Sequence, residues 1–310
     1  MQKIVVIGGG ILGSQIAFQT AYSGFDTTIW VRSNESIKRT KPRIDTLKET
    51  YLQEIENMHK QNSQSWCPGI IGQDEFNVKK LIKKVNDGYK KLKITTNLNE
   101  ALKDANIVIE SMSENFDAKK ALYQNLKGRL NTNAILVTNS STMLPSKLAK
   151  YTDCPERFLA LHFANSIWKN NTAEIMKQPK TNDQSFETII KFAQDINMVP
   201  LPLAKEKSGY LLNSMLIPFL FAALDLLVCG ISDVKSIDAS WKLGTKSPLG
   251  PFEILDKIGL NTALNIVNMY TKIPDFLAPY HFKKISKLLT EYVEANKLGR
   301  ETKEGFYKYD

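Results

Sequence analysis

Hydrophobic positions in the first two thirds of the chain fall into short runs separated by longer amphipathic stretches. The runs cover residues 4–7, 27–31, 94–96, 107–109, 134–137, 158–163, 174–176 and 199–201. Their length and richness in Ile, Val, Leu and Phe predict strands. Helical spacing fills the gaps. One pattern begins at Ala17, and a second covers 36–61, with Leu47, Tyr51, Ile55 and Met58 along one face. Trp66-Cys67-Pro68-Gly69 breaks it, and 75–92 is helical again. Further helices are predicted over 116–130 and 183–195. Strands alternating with helices imply an α/β fold with a doubly wound parallel sheet, here carrying an inserted helical hairpin.

The rhythm changes near Leu201. From Lys205 onward the spacing is helical over 210–228, 233–243, 251–270 and 282–295. The expected organisation is therefore a sheet domain over 1–202 and an all-α domain over 203–310. The apolar stretch 214–228 contains Asp225 and is too short to span a membrane. Because the chain opens on a core strand, no cleaved leader is expected.

The first strand runs straight into Gly8, Gly10 and Gly13, spaced G-x-G-x-x-G, and then into a helix. In that context the motif is a Rossmann-like dinucleotide fingerprint. Gly8 permits the turn, Gly10 lets the backbone approach a pyrophosphate, and Gly13 lets the helix pack close to the strand. Ile11 and Leu12, between the glycines, are expected at the same cofactor site, and the N-terminus of the helix that follows presents N–H groups to phosphate.

Net charge is +9, from 41 basic and 32 acidic residues. One basic cluster comprises Lys38, Arg39, Lys41 and Arg43; the other runs from Lys79 through Lys93. The second interleaves with Leu81 and Ile82 at helical spacing and carries few aromatics. A solvated helix face accounts for it best, an anionic small molecule next and nucleic acid last. Neither a nucleic acid nor a membrane is an expected partner. Cys67, Cys154 and Cys229 are widely spaced and follow no metal or redox pattern, so no metal is expected and a reducing cytoplasm suits the chain.

Ligands of such sheets bind outside the C-terminal strand ends. Glu110, the Asn139-Ser140-Ser141-Thr142 turn, and His162 with Asn165 fall there. Glu174 follows on or near the next strand. His59 and His281 are expected at the surface; His162, between Leu161 and Phe163, is either a core histidine or a proton carrier. Hydride reduction of a ketone leaves an alkoxide that needs a proton, which a histidine held by a carboxylate can supply. Ser141, His162 and Glu174 also have the composition of a hydrolase triad. Ser141, however, lies in N-S-S-T rather than G-x-S-x-G, and a hydrolase has no use for the dinucleotide fingerprint.

Seven further stretches carry a family resemblance: V-I-E-S-M-S-E-N from Val108, N-S-S-T from Asn139, L-H-F-A-N from Leu161, N-N-T-A-E-I-M from Asn170, S-G-Y-L-L-N from Ser208, P-L-G-P-F-E-I-L-D from Pro248, and E-G-F-Y-K-Y from Glu304. With the glycine motif they make the chain resemble the 3-hydroxyacyl-CoA dehydrogenase family over nearly its whole length. It is especially similar to the branch holding diketoreductase and the gulonate dehydrogenase/λ-crystallin group. The resemblance implies interconversion of an L-3-hydroxy and a 3-keto group with a nicotinamide cofactor. The substrate is then a small molecule, either a CoA thioester or a CoA-free β-keto acid or ester. It implies His162 as catalytic acid/base, Glu174 as its partner, Ser141 and Asn213 at the substrate oxygen, and Glu110 and Lys119 near the nicotinamide. It also implies a homodimer formed through the helical domain. A non-catalytic, crystallin-like protein is the competing expectation.

Two departures from the family pattern matter. Where the family carries Asp after the second strand, this chain has Val31, Arg32 and Ser33. No carboxylate there repels a 2′-phosphate, and Arg32 can pair with one, so NADP(H) is expected over NAD(H). After the histidine strand, Asn165-Ser166 replaces the family's Asn-Pro, and Trp168 is expected to add bulk at the substrate mouth.

Overall fold

A computed structural model describes residues 2–60, 66–72 and 76–310. It divides into two compact units, Met1–Leu211 and Leu212–Asp310.

The first unit is built on eight strands: β1 Lys3–Ile7, β2 Asp26–Trp30, β3 Lys93–Thr95, β4 Ile107–Glu110, β5 Ile135–Thr138, β6 Phe158–Phe163, β7 Thr172–Lys177 and β8 Val199–Leu203. Their order is β3-β2-β1-β4-β5-β6-β7-β8. Among the described residues, eight α-helices flank them: α1 Ile11–Tyr22, α2 Asn34–His59, α3 Pro68–Ile71, α4 Val78–Lys91, α5 Leu98–Leu102, α6 Phe116–Leu126, α7 Pro145–Ala149 and α8 Asp183–Asp195. Side-chain alternation along β1 explains the two layers. Ile4 and Val6 face a core shared with α1, α2, α4 and α8, whereas Val5 and Ile7 face one shared with α5, α6 and α7. In the hairpin, Tyr51, Ile55, Leu81 and Val85 are buried, while Lys79, Lys80, Lys83, Lys90 and Lys91 lie outside. That is the solvated face the spacing predicts. The expected helix ends at Gln61 and Glu75 lie outside the described residues.

The expected doubly wound parallel sheet is present, with one antiparallel pair in it. β6 and β7 pair antiparallel, and β8 runs parallel to β7. The connection 164–171 is shorter than the dozen or more residues a crossover needs, so the chain turns back on itself. The helix expected over 116–130 stops at Leu126; Gly128 follows at φ +69°, its N–H donating to Asp153. Two five-residue helices, α5 and α7, are too short to show a periodicity and were not expected.

The strap after β8 remains with the first unit, although the pattern change suggests a boundary at 202. Tyr210 anchors it: the ring is buried and the hydroxyl donates to the Ser140 carbonyl at 2.7 Å. Tyr210 has φ +54°, so the helix expected from residue 210 begins at Leu212 instead.

The second unit is all helical: α9 Leu212–Val228, α10 Val234–Thr245, α11 Pro251–Ile258, α12 Leu260–Asn268 and α13 Phe282–Glu294. The single helix expected over 251–270 is two, because Gly259 at φ +96° interrupts it. Pro251 opens α11, whose first turn is capped twice. Gly250 N–H donates to Glu253, and Phe252 N–H donates to buried Asp238 at 2.8 Å. Asp256, also buried, accepts N–H bonds from Phe306 and Tyr307 and the Tyr309 hydroxyl, tying the E-G-F-Y-K-Y segment to α11. Two of the family-like motifs thus serve packing. Among the described residues no helix is long and apolar enough to cross a membrane.

Candidate active site

The glycine turn meets each demand of the fingerprint. Gly8 sits at φ +111°, and a Cβ there lies 2.5 Å from the Ser111 carbonyl oxygen. A Cβ on Gly13 lies 2.2 Å from the Gly8 carbonyl oxygen, so α1 packs on the turn only without a side chain. A Cβ on Gly10, by contrast, meets nothing within 4 Å. Gly9, outside the three-glycine motif, is equally constrained, with a Cβ 2.0 Å from the Thr40 hydroxyl. Helices α2, α4, α5, α6 and α8 are each capped by a Ser or Asn side chain; α1 has Gly10 at its N-cap and no side-chain cap. Its leading N–H groups, next to an open backbone, fit a pyrophosphate. Ile11 is 68% exposed on the same turn, and Leu12 packs into the core behind it. Gly13→Ala is expected to cost about 1–3 kcal/mol through overpacking against backbone, read by urea denaturation, and to weaken dinucleotide binding.

Past β2, Val31 is buried and Arg32 exposed. Ser33 accepts from Ser36 N–H to start α2, and Arg39 donates to the Ser36 hydroxyl. Arg43 donates to the Gly9 carbonyl at 2.9 Å. Part of the first basic cluster therefore borders the glycine turn.

At the ends of β4 and β5 the structure places a saturated carboxylate. Glu110 is fully buried and accepts four bonds: from Met112 N–H (2.7 Å), Lys119 Nζ (2.6 Å), Tyr123 OH (2.8 Å) and Thr138 OH (2.7 Å). Lys119 is buried too, with Glu114 3.6 Å away on its other side. Burial and the Glu110 charge push the Tyr123 hydroxyl well above its usual range. Burial opposes ionisation of Glu114, but hydrogen bonds from Ser140 and Thr142, with the Lys119 charge, hold its carboxyl below the ordinary value. Asn139 spans the next gap, accepting from Phe163 N–H at 3.1 Å.

Beside that hub, three expected residues converge. Ser141 Oγ lies 3.0 Å from His162 Nε2, and His162 Nδ1 lies 2.9 Å from Glu174 Oε2. His162 and Glu174 are direct partners in the β6–β7 register, which puts both side chains on one face of the sheet. Glu174 is a carboxylate acceptor, so Nδ1 carries the proton and Nε2 is left to accept from the Ser141 hydroxyl. The other Glu174 oxygen accepts from Leu211 N–H at 2.8 Å. His162 is only 8% exposed, and Tyr210 stacks on its ring at 4.5 Å and 17°. Both nitrogens and one flat face of this histidine thus belong to an ordered site, not to general core packing.

No sequence pattern marks Tyr210 or Glu114 as site residues, although they lie inside the S-G-Y-L-L-N and V-I-E-S-M-S-E-N motifs. One expectation fails here. Trp168 does not stand at a substrate mouth; its ring turns into the core against Tyr51, with centroids 5.8 Å apart. Gly69 allows this, since a Cβ there lies 2.8 Å from the Trp168 Cα. Asn213 lies in the second unit, one residue into α9.

A dinucleotide fingerprint on a Rossmann-like sheet, with a Ser–His–Glu relay at its C-terminal strand edge, defines a class of oxidoreductase. The comparisons narrow it. Residues 3–207 match the 3-hydroxyacyl-CoA dehydrogenase NAD-binding domain, and 209–309 match that family's C-terminal domain. The chain belongs to the 3-hydroxyacyl-CoA dehydrogenase family. It is 28% identical over 309 residues to the human mitochondrial hydroxyacyl-coenzyme A dehydrogenase, covering 100% of this chain and 91% of the relative. It is 30% identical to a 3-hydroxybutyryl-CoA dehydrogenase of Bradyrhizobium diazoefficiens, covering 100% and 96%. A solved diketoreductase, described as acting on dicarbonyl compounds, shares 38% identity and a TM-score of 0.85 over 100% of this chain and 99% of its own.

Proposed function

We propose that the protein interconverts an L-3-hydroxy group and a 3-keto group on a 3-hydroxyacyl-type substrate. The observation that carries this reading is the Ser141–His162–Glu174 line at the strand edge, with His162 and Glu174 buried and Ser141 half-buried. In the oxidative direction His162 Nε2 takes the hydroxyl proton; in the reductive direction imidazolium returns it. Glu174 fixes the tautomer and stabilises the imidazolium. Ser141 donates to the substrate oxygen as charge builds there, and Asn213 keeps the role the resemblance implies, that of a second donor. The nicotinamide supplies or accepts the hydride when bound. Gly8, Gly10, Gly13 and the first turn of α1 hold its pyrophosphate. Glu110 and Lys119 act on the cofactor side through the segments they fix, because their charged atoms are occupied by one another.

A second substrate class is favoured by a specific observation. Identity to the diketoreductase, 38%, exceeds the 28–30% shared with the acyl-CoA relatives. A CoA-free β-dicarbonyl acid or ester is therefore the alternative. Turnover across a β-ketoacyl-CoA, a β-keto ester and gulonate separates the two and also tests the non-catalytic reading. Activity on none of them overturns the assignment.

For the cofactor we favour NADP(H). Arg32 stands exposed where a ribose-binding carboxylate is absent, and Arg39 and Arg43 follow on α2. A charge-assisted bond to a 2′-phosphate gives about 1.5–3 kcal/mol, or ~10- to 100-fold in affinity. Arg32→Ala is expected to raise the NADPH Kd by about that factor and to leave NADH nearly unchanged. Equal or tighter NADH binding by the unaltered protein refutes the preference.

We further propose a homodimer formed through the helical unit, which exposes Ile231, Leu243, Met269 and Phe276 by 69–86%. The free thiols of Cys67, Cys154 and Cys229 favour a cytoplasmic location.

A further inference from the structure

The helical unit gathers three metal-ligating side chains that the reaction does not use. Asp225 and Cys229 stand four residues apart at the end of α9, and His281 precedes α13. His281 Nδ1 lies 3.0 Å from Asp225 Oδ1 and 3.2 Å from Cys229 Sγ, and Cys229 Sγ lies 3.9 Å from Asp225 Oδ2. One donor atom from each lies within 4.8 Å of the others.

Two simpler roles leave part of this unexplained. A nucleophilic triad needs the thiol and the carboxylate on opposite nitrogens of the ring. Here both approach the same nitrogen, Nδ1, so no proton can pass between them through the imidazole. Helix capping accounts for Asp225, whose Oδ1 accepts the His281 N–H at 2.7 Å. It gives no reason for a thiol to face that same ring nitrogen. A tetrahedral ion with bonds of about 2.0–2.3 Å sets its donors roughly 3.3–3.6 Å apart. The 3.2 Å between Nδ1 and Sγ is close to that spacing, and the two Asp225 oxygens lie 3.0 Å from Nδ1 (Oδ1) and 3.9 Å from Sγ (Oδ2).

We propose that Asp225, Cys229 and His281 form a binding site for a borderline divalent transition-metal ion of the Zn²⁺ type. Thiolate, imidazole and carboxylate together select such an ion over Mg²⁺ or Ca²⁺, which prefer oxygen alone. Three protein donors leave the fourth position to water, since His281 is exposed and Asp225 and Cys229 are half-buried. The ion ties the C-terminal end of α9 to the start of α13, far apart in sequence.

The test is a Co²⁺ titration of the purified full-length protein, followed by absorption. One ion per chain is expected, with a thiolate-to-cobalt charge-transfer band that Zn²⁺ displaces. Cys67 and Cys154 are buried, so the band is expected to vanish in Cys229→Ser. In His281→Ala the Co²⁺ Kd is expected to rise about 10-fold or more. Zn²⁺ is expected to raise Tm in the unaltered protein but not in Cys229→Ser. Wild-type turnover in metal-free buffer checks that both variants are folded. No band with Co²⁺ in excess, or a band that survives Cys229→Ser, overturns the proposal.

Discussion

His162→Gln is expected to lower kcat by about 10²- to 10⁴-fold while cofactor affinity stays near wild type. Glutamine keeps a donor toward Glu174 and a polar tip toward Ser141 but has no group that exchanges a proton near neutral pH. The fold is therefore preserved and only the proton carrier is lost. The glycine turn is formed by β1 and α1 and does not depend on His162, so dinucleotide binding measured by fluorescence remains. Steady-state kinetics with the best substrate from the panel reads the loss. Turnover within a few-fold of wild type would falsify His162 as the acid/base. Glu174→Gln makes a companion: the Leu211 N–H keeps its acceptor, yet Nδ1 loses its charged partner. Its loss is expected in kcat more than in KM, because the imidazolium forms only as the proton moves.

The second large effect concerns stability. Glu110→Ala is expected to cost about 3–5 kcal/mol, the usual penalty for orphaning one member of a buried ion pair. The Lys119 ammonium is left with Glu114 at 3.6 Å, and three other donors, Met112 N–H, Tyr123 OH and Thr138 OH, lose their acceptor inside the sheet. Domains of ordinary stability have about 5–15 kcal/mol in total, so this one change brings the protein close to its threshold. Urea denaturation of Glu110→Ala gives the number. Glu110→Leu combined with Lys119→Met is expected to recover part of the loss, because no unpaired charge is then buried. A double variant less stable than the single one contradicts the account.

Two relay residues and the buried hub were legible because a parallel sheet exposes its ligands at strand ends, and His162, Ser141 and Glu110 lie there. What the relay needs beyond composition was not legible. No spacing rule shows that β7 turns back, and only that reversal makes His162 and Glu174 cross-strand neighbours. Tyr210 looked like the first residue of a helix, since a positive φ on a tyrosine leaves no mark in a hydrophobic pattern. Gly259 lay inside an unbroken helical period and still divided it. Trp168 lay beside an active-site strand in sequence, yet its apolar area drew it into the core. Cys229 and His281 are 52 residues apart, a distance at which no local motif can signal a shared site. Short-range chemistry is readable in such a chain; long-range register and left-handed backbone are not.

The antiparallel pairing of β6 with β7 also sets how this protein can fail. Strand side chains alternate with a period of two, so a slip of one residue in the 164–171 connection sends Glu174 to the opposite face. Such a slipped chain keeps strands, helices and a dinucleotide site, but His162 faces no carboxylate. A preparation could then bind cofactor with full stoichiometry and still contain a dead fraction. Active-site titration, rather than a melting curve, is the assay that counts correctly registered molecules.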